Sequence, residues 1–114
     1  MEEAHMTIVR LWSGITLGTN AGEYVDYLEK TFIPACQIAE GNQGLLVMKA
    51  LQGELAQFLL VSFWISEQAL ADFAGTDGEE VVKPCPEESS LLLAFESTAR
   101  HYRVVYRSAD HERR

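Results

Sequence analysis

Residues 45–65 read LLVMKALQGELAQFLLVSFWI, and this stretch decides the fold. The spacing predicts a strand over 45–51, a tight connection at Gln52-Gly53-Glu54, and a second strand over 57–65, together a hairpin. Successive side chains on a strand point to opposite faces. In the later strand Phe58, Leu60 and Trp64 point one way, and Leu59, Val61 and Phe63 the other. In the earlier strand Leu45, Val47 and Leu51 oppose Leu46, Met48 and Ala50. A sheet with one wet face should alternate apolar and polar. These strands are apolar on both.

Upstream of the hairpin, residues 7–16 read as a first strand rich in Ile, Val, Leu and Trp. After a turn at 17–19, Asn20 has the position of an N-cap, with Glu23 three residues on in capping-box spacing. The helix that follows lines up Tyr24, Tyr27, Leu28 and Thr31 on one stripe. Pro34 is expected to end or kink it, because proline lacks the N–H and disfavours helical angles at Ile33. Downstream, Ser66 caps a second helix that carries Leu70, Phe73 and Ala74 and stops at Gly75. A short helical turn is expected near 79–82, an extended or turned segment at Pro84-Cys85-Pro86, and a last strand over about 101–107. The order strand, helix, strand, strand, helix, strand is the ferredoxin-like split βαβ arrangement, an α+β fold with an antiparallel four-stranded sheet and helices on one face. The domain is expected over 6–107, with disordered tails at 1–5 and 108–114.

Two helices cover one face of such a sheet. The other face needs a cover, because leaving its side chains wet forgoes about 1.5–3 kcal/mol each and leaves an apolar patch larger than monomers tolerate. Residues 76–95 could supply it. A second copy packed sheet to sheet is the simpler solution, so a homodimer is expected.

The 114 residues suit one domain. A net charge of −8 argues against nucleic acid, which needs a basic stripe. Arg100, Arg103, Arg107, Arg113 and Arg114 gather near the end, diluted by Asp110 and Glu112. Met1 to Met6 hold Glu2 and Glu3 and no apolar run, so no signal peptide is expected. No stretch of about 18 apolar residues is present to span a membrane. Cys36 and Cys85 form neither a C-x-x-C pair nor part of a zinc set. The expectation is a cytoplasmic protein with reduced thiols, no metal and no cofactor.

The segments IVRLWSG (8–14), EYVDYLEKTFIP (23–34), GNQGLLVMK (41–49), FLLVSFWISEQALADFAG (58–75) and FESTARHYRVV (95–105) together resemble the antibiotic-biosynthesis-monooxygenase family. The resemblance runs from about residue 6 to 106, and its most telling part is the passage from Trp64 through Ser66 into a helix with Phe73. It implies a dimeric α/β barrel. It also implies oxidation of a small aromatic substrate (anthrone, phenol or quinol-like) by dioxygen without metal or flavin. Such chemistry needs an apolar pocket between helices and sheet, a flat aromatic wall, a base, and donors for developing oxyanion charge. The family's haem-degrading branch implies an asparagine on the first strand and a histidine in or after the second helix. The first strand offers no asparagine, and no histidine lies between Glu67 and Arg100, so that arrangement is not expected.

Trp64, at the end of its strand, is where the resemblance places a pocket tryptophan, and Trp12 is a similar candidate. Each could equally be a core indole with its N–H bonded to a carbonyl. Tyr24, Tyr27 and Phe73 are candidate pocket wall or core, and Asn42 is a turn residue or a polar ligand contact. His101, inside a predicted strand with an ordinary pKa of about 6.5, is the candidate general base. Arg10 is a charge in the middle of an apolar strand. It should pair with a carboxylate, reach an edge, join a partner subunit or bind an anion in the pocket, since a lone buried charge is costly. A non-catalytic binding or structural protein, and an isomerase or decarboxylase on the same scaffold, are the alternative readings.

Overall fold

The computed structural model describes residues 7–76 and 79–108. The expected N-terminal tail, residues 1–5, lies outside them, as does all of the expected C-terminal tail beyond residue 108. Strand β1 (Ile8–Leu17) runs through the middle of the sheet. Its apolar residues pair antiparallel with β3 (Leu55–Trp64) over their whole length, from Ile8 against Trp64 to Leu17 against Leu55. Strand β2 (Asn42–Gln52) flanks β3, and β6 (Thr98–Arg103) flanks β1 on the other side. Two short strands complete the sheet: β4 (Glu80–Val81) at the edge of β6, and β5 (Ala94–Phe95) against Gly14 and Ile15 of β1. The order β2-β3-β1-β6 is that of a ferredoxin-like sheet.

The hairpin strands are longer than the residue pattern predicts. Gln52 and Leu55 pair directly, so the loop is only Gly53 and Glu54. Gly53 has φ 61°, the left-handed value that a two-residue hairpin asks of its first position. Helix α1 (Ala21–Lys30) is followed by α2 (Phe32–Ile38). The expected cap at Asn20 does not form: Asn20 ends a 3-10 turn (Gly18–Asn20), and its side chain caps nothing. The break expected at Pro34 falls three residues earlier, at Thr31 (φ −127°, ψ −78°). Pro34 has no N–H for the carbonyl of Lys30, and its ring would strike that carbonyl, so the turn before it opens. Pro34 itself then sits in the first turn of α2, where an N–H has no intrahelical acceptor. Ser66 caps α3 (Glu67–Ala74), accepting from the Ala69 N–H at 3.0 Å, and Gly75 ends it at φ 82°.

Residues 79–82 contain β4 rather than a helical turn, because Glu80 and Val81 find open hydrogen-bonding groups on Ala99 and Thr98 of β6. Pro86 then starts the short helix α4 (Pro86–Ser89). The last strand is β6 and ends at Arg103 rather than 107. Its partner β1 begins at Ile8, which pairs with Arg103, and Val104 adds one further bond to the Thr7 carbonyl at 2.9 Å.

All four helices and the 80–97 segment serve one face. Trp12, Phe58 and Leu60 pack with Ala21, Tyr24 and Leu28 of α1, and Val82, Leu91 and Leu92 close against them. A second cluster joins Ile8 and Trp64 to Cys36 and Leu70. The described residues between 79 and 95 that join the core, Val82, Leu91 and Leu92, pack on the helical face and not on the opposite one. There Leu46 and Met48 are 49% and 43% exposed, and Leu11 and Leu59 belong to neither cluster. No helix among the described residues is long and apolar enough to cross a membrane.

Candidate active-site cavity

A cavity of about 290 Å³ lies between α1–α2 and the sheet, at the small end of the ~300–1,000 Å³ that ligand pockets span. Trp12 and Leu60 rise from the sheet, Tyr27, Leu28 and Phe32 descend from the helices, and Val82 closes one side. The Trp12 ring is fixed by its Nε1–H, which donates to the Glu96 carbonyl at 2.8 Å. Arg10, Thr31 and Glu88, with the phenol-bearing Tyr27, bring charged or polar groups to this lining.

Glu88 comes from α4. The Tyr24 hydroxyl donates to its Oε2 at 2.8 Å. Tyr24 is fully buried and packs edge-on to Phe58 at 4.9 Å. Burial, then the Glu88 carboxylate, pushes the Tyr24 phenol far above its ordinary pKa, so it stays a donor. Tyr27 meets the Cys85 thiol at 3.2 Å. Its phenol is pushed up to about 12, chiefly by that contact, and the exposed Cys85 thiol is lowered by the same bond. Cys36, by contrast, is buried and raised to about 11 by desolvation.

Arg10 reaches the cavity from the middle of β1. Its Nε donates to Glu80 Oε1 at 2.9 Å and its Nη2 to Oε2 at 2.7 Å. His101, its cross-strand neighbour on β6, places Nε2 2.9 Å from the same Oε1. Burial alone would raise the Glu80 pKa. The hydrogen bonds from Arg10 and His101 outweigh it and hold the carboxyl below the ordinary range. The guanidinium also lies 5.8 Å from the centre of the Phe32 ring. Of the partners open to Arg10, the fold supplies a carboxylate of its own chain.

No protein-family model matches the sequence, and no curated protein matches it either. Solved structures do share its fold. The haem-degrading protein of Mycobacterium tuberculosis superposes with a TM-score of 0.57 at 16% identity, covering 92% of this chain and 98% of that one. A Bacillus cereus protein of antibiotic-biosynthesis-monooxygenase type gives 0.57 at 19%, covering 94% and 98%. A mutant of the cofactor-independent oxygenase of Streptomyces nogalater gives 0.54 at 12%, covering 91% and 94%. This chain has the antibiotic-biosynthesis-monooxygenase fold. At these identities the likeness is one of fold, and the function has to be argued from the side chains.

Within this antibiotic-biosynthesis-monooxygenase fold the predicted site residues separate. Trp12 and Tyr27 line the cavity, and Tyr24 stands behind it, holding Glu88. Trp64 and Phe73 lie elsewhere, with ring centres 4.7 Å apart in the second cluster, and the Trp64 Nε1–H donates to Ser62 Oγ at 2.9 Å. Asn42 shapes the bulge at the start of β2, its Oδ1 accepting from the Gly44 N–H at 3.0 Å. His101 lines a separate pocket of about 520 Å³ between α3 and β6, and its ring contacts Glu80, the carboxylate that Arg10 holds. Sequence reasoning missed Glu88 and Glu80. The charge of Arg10 in an apolar strand left a carboxylate as one of several possible partners, and nothing in the chain distinguished Glu80 from Glu79, or Glu88 from Glu87. Among the described residues no three His, Cys, Asp or Glu side chains group as a metal site.

Proposed function

We propose that the cavity binds one small planar aromatic molecule of anthrone, phenol or quinol type and promotes its oxidation by dioxygen without metal or flavin. The observation that carries this reading is the Glu88 carboxylate entering an aromatic-walled cavity, held in place by a buried phenol that cannot give up its proton. Glu88 takes a proton from the substrate. The resulting anion is electron-rich and reduces dioxygen. For an anthrone-type methylene the balance is CH2 plus O2 to C=O plus water. Trp12 and Phe32 supply flat walls. His101 acts as a positioning residue through Glu80, since it does not line the cavity.

The protein works as a homodimer joined through the open sheet face, where Leu46, Met48 and Leu59 need a cover that the chain does not provide. Its acidity and two free thiols suit the cytoplasm.

Oxygen uptake with a model anthrone and with hydroquinones, in metal-free buffer, tests the reaction. Uptake that Glu88→Gln lowers by about 10²-fold or more supports it. No uptake above the buffer rate with any of these compounds sinks it and leaves a binding protein on this scaffold.

A further inference from the structure

The pocket between α3 and β6 carries an atom that the proposed reaction does not use. Its volume of about 520 Å³ falls within the range of small-molecule sites. Ile8 and Leu70 belong to its lining and are both buried, so a bound molecule meets an apolar floor. His101 lines it from β6, with Nε2 2.9 Å from Glu80 Oε1. The Glu80 carboxyl, its pKa lowered, is ionised at neutral pH and can only accept. The proton of that bond therefore sits on Nε2. In the neutral ring Nδ1 is then a bare acceptor, and it has no hydrogen-bond partner among the described residues.

Charge decides what suits this atom. Charged side chains reach His101 or its pocket from four elements: Glu80 from β4, Arg10 from β1, Arg103 from β6 and Glu67 from α3. They pair as Arg10 with Glu80 and Arg103 with Glu67, and each pair cancels. His101 and Arg103 stand opposite Arg10 and Ile8, two residues apart on β6, so both share the helical face. A carboxylic acid that gives its proton to Nδ1 leaves the total charge of the site unchanged. Its carboxylate then lies between two cations, the imidazolium and the Arg103 guanidinium. The Arg103–Glu67 bridge is more than half exposed at both ends, and such pairs are weakly held, so Arg103 can turn to a ligand oxygen. A dianion brings a second charge that no proton on the ring offsets, and a chain with a net charge of −8 repels it.

We propose that the pocket between α3 and β6 binds small monocarboxylic acids with an apolar body, the carboxylate between His101 Nδ1 and Arg103 and the body on Ile8 and Leu70. This site is separate from the cavity under α1–α2 and does not depend on the reaction proposed there. The proton on Nδ1 comes from the acid, or from water when the acid is already ionised. The new N–H is the only covalent bond made, and nothing is oxidised or reduced. Above neutral pH, binding therefore takes up a proton from solvent, and affinity falls as pH rises.

The test is titration calorimetry of the full chain with 2-naphthylacetate at about pH 8, in buffers of different ionisation enthalpy. The expected result is a Kd of about 1 mM or tighter, with uptake of about one proton and a Kd that rises about tenfold per pH unit. The amide of the same acid, equal in shape and uncharged, should bind about tenfold more weakly or worse. His101→Gln keeps a donor for Glu80 and cannot take a proton, so it should weaken the acid about tenfold or more and abolish proton uptake. Arg103→Gln should weaken it about tenfold and keep the uptake. No binding at millimolar acid, equal affinity for the amide, binding without proton uptake, or undiminished affinity in either variant overturns the proposal. Should circular dichroism show that His101→Gln fails to fold, the buffer series on the native chain and the Arg103 variant decide.

Discussion

Arg10 grips both carboxylate oxygens of Glu80, at 2.9 and 2.7 Å, and so ties the middle of β1 to a strand only two residues long. Both side chains are about nine-tenths buried. Glu80→Ala should leave the guanidinium buried and uncompensated and cost about 3–5 kcal/mol. Replacing both residues by Met and Leu of similar size should recover most of the loss. Urea denaturation of the two variants measures the difference; equal losses would show that the pair is not what anchors β4.

The same pair sets a pH dependence. The Glu80 pKa is lower folded than unfolded, so its contribution is complete above the unfolded value of about 4.3 and is lost as pH falls through the folded value. Relative to Glu80→Gln, the native chain should therefore lose stability between neutral pH and about pH 3. The readout is the urea midpoint of both proteins across that range, and parallel curves would contradict the assignment.

The two tryptophans should respond oppositely to substitution by phenylalanine. Trp12→Phe removes a cavity wall and the bond to the Glu96 carbonyl. It should weaken aromatic ligand binding about tenfold, as read by titration calorimetry. Trp64→Phe leaves the Ser62 hydroxyl without its indole partner. It should cost about 1–3 kcal/mol of stability and leave turnover unchanged, since Trp64 lies outside the cavity. A large loss of turnover in Trp64→Phe at intact fold would move the active site to the second cluster.

Cys85 should alkylate well before Cys36. Its thiol is exposed and its pKa lowered by Tyr27, whereas burial raises Cys36 to about 11. Timed iodoacetamide labelling with mass spectrometry gives the two rates, and Tyr27→Phe should slow Cys85 without accelerating Cys36.

Charges placed on the open sheet face should separate the proposed dimer. Met48→Glu and Leu46→Lys sit on β2 among exposed apolar neighbours, and neither touches the helical core. Light scattering should show the native chain at twice the protomer mass and the double variant as a folded monomer. A native chain that scatters as a monomer at micromolar concentration removes the dimer.

Much of the molecule was legible in residue patterns. Apolar runs bounded by turn residues marked β1, β2 and β3, and Ser66 and Gly75 marked both ends of α3. Local signals misplaced the break between α1 and α2. Pro34 acts on the carbonyl four residues before it, so the distortion appears at Thr31. They also misread residues 79–82, because a two-residue strand has no period of its own and exists only because β6 offers it an edge.

The sequence by itself determined the order strand, helix, strand, strand, helix, strand of the main elements, the apolar character of both faces of the sheet, and the cost of leaving Arg10 buried alone. These follow from periodicity and from the cost of burying an unpaired charge, which are properties of the chain read locally. Tertiary structure alone decided that Glu80 answers Arg10 from 70 positions away, and that Glu88 rather than His101 faces the cavity. It also decided that Trp12 rather than Trp64 lines it. Those choices depend on how the 80–97 segment folds back over the helices, and identical side chains in an acidic run are distinguished only by the groups they meet across that fold.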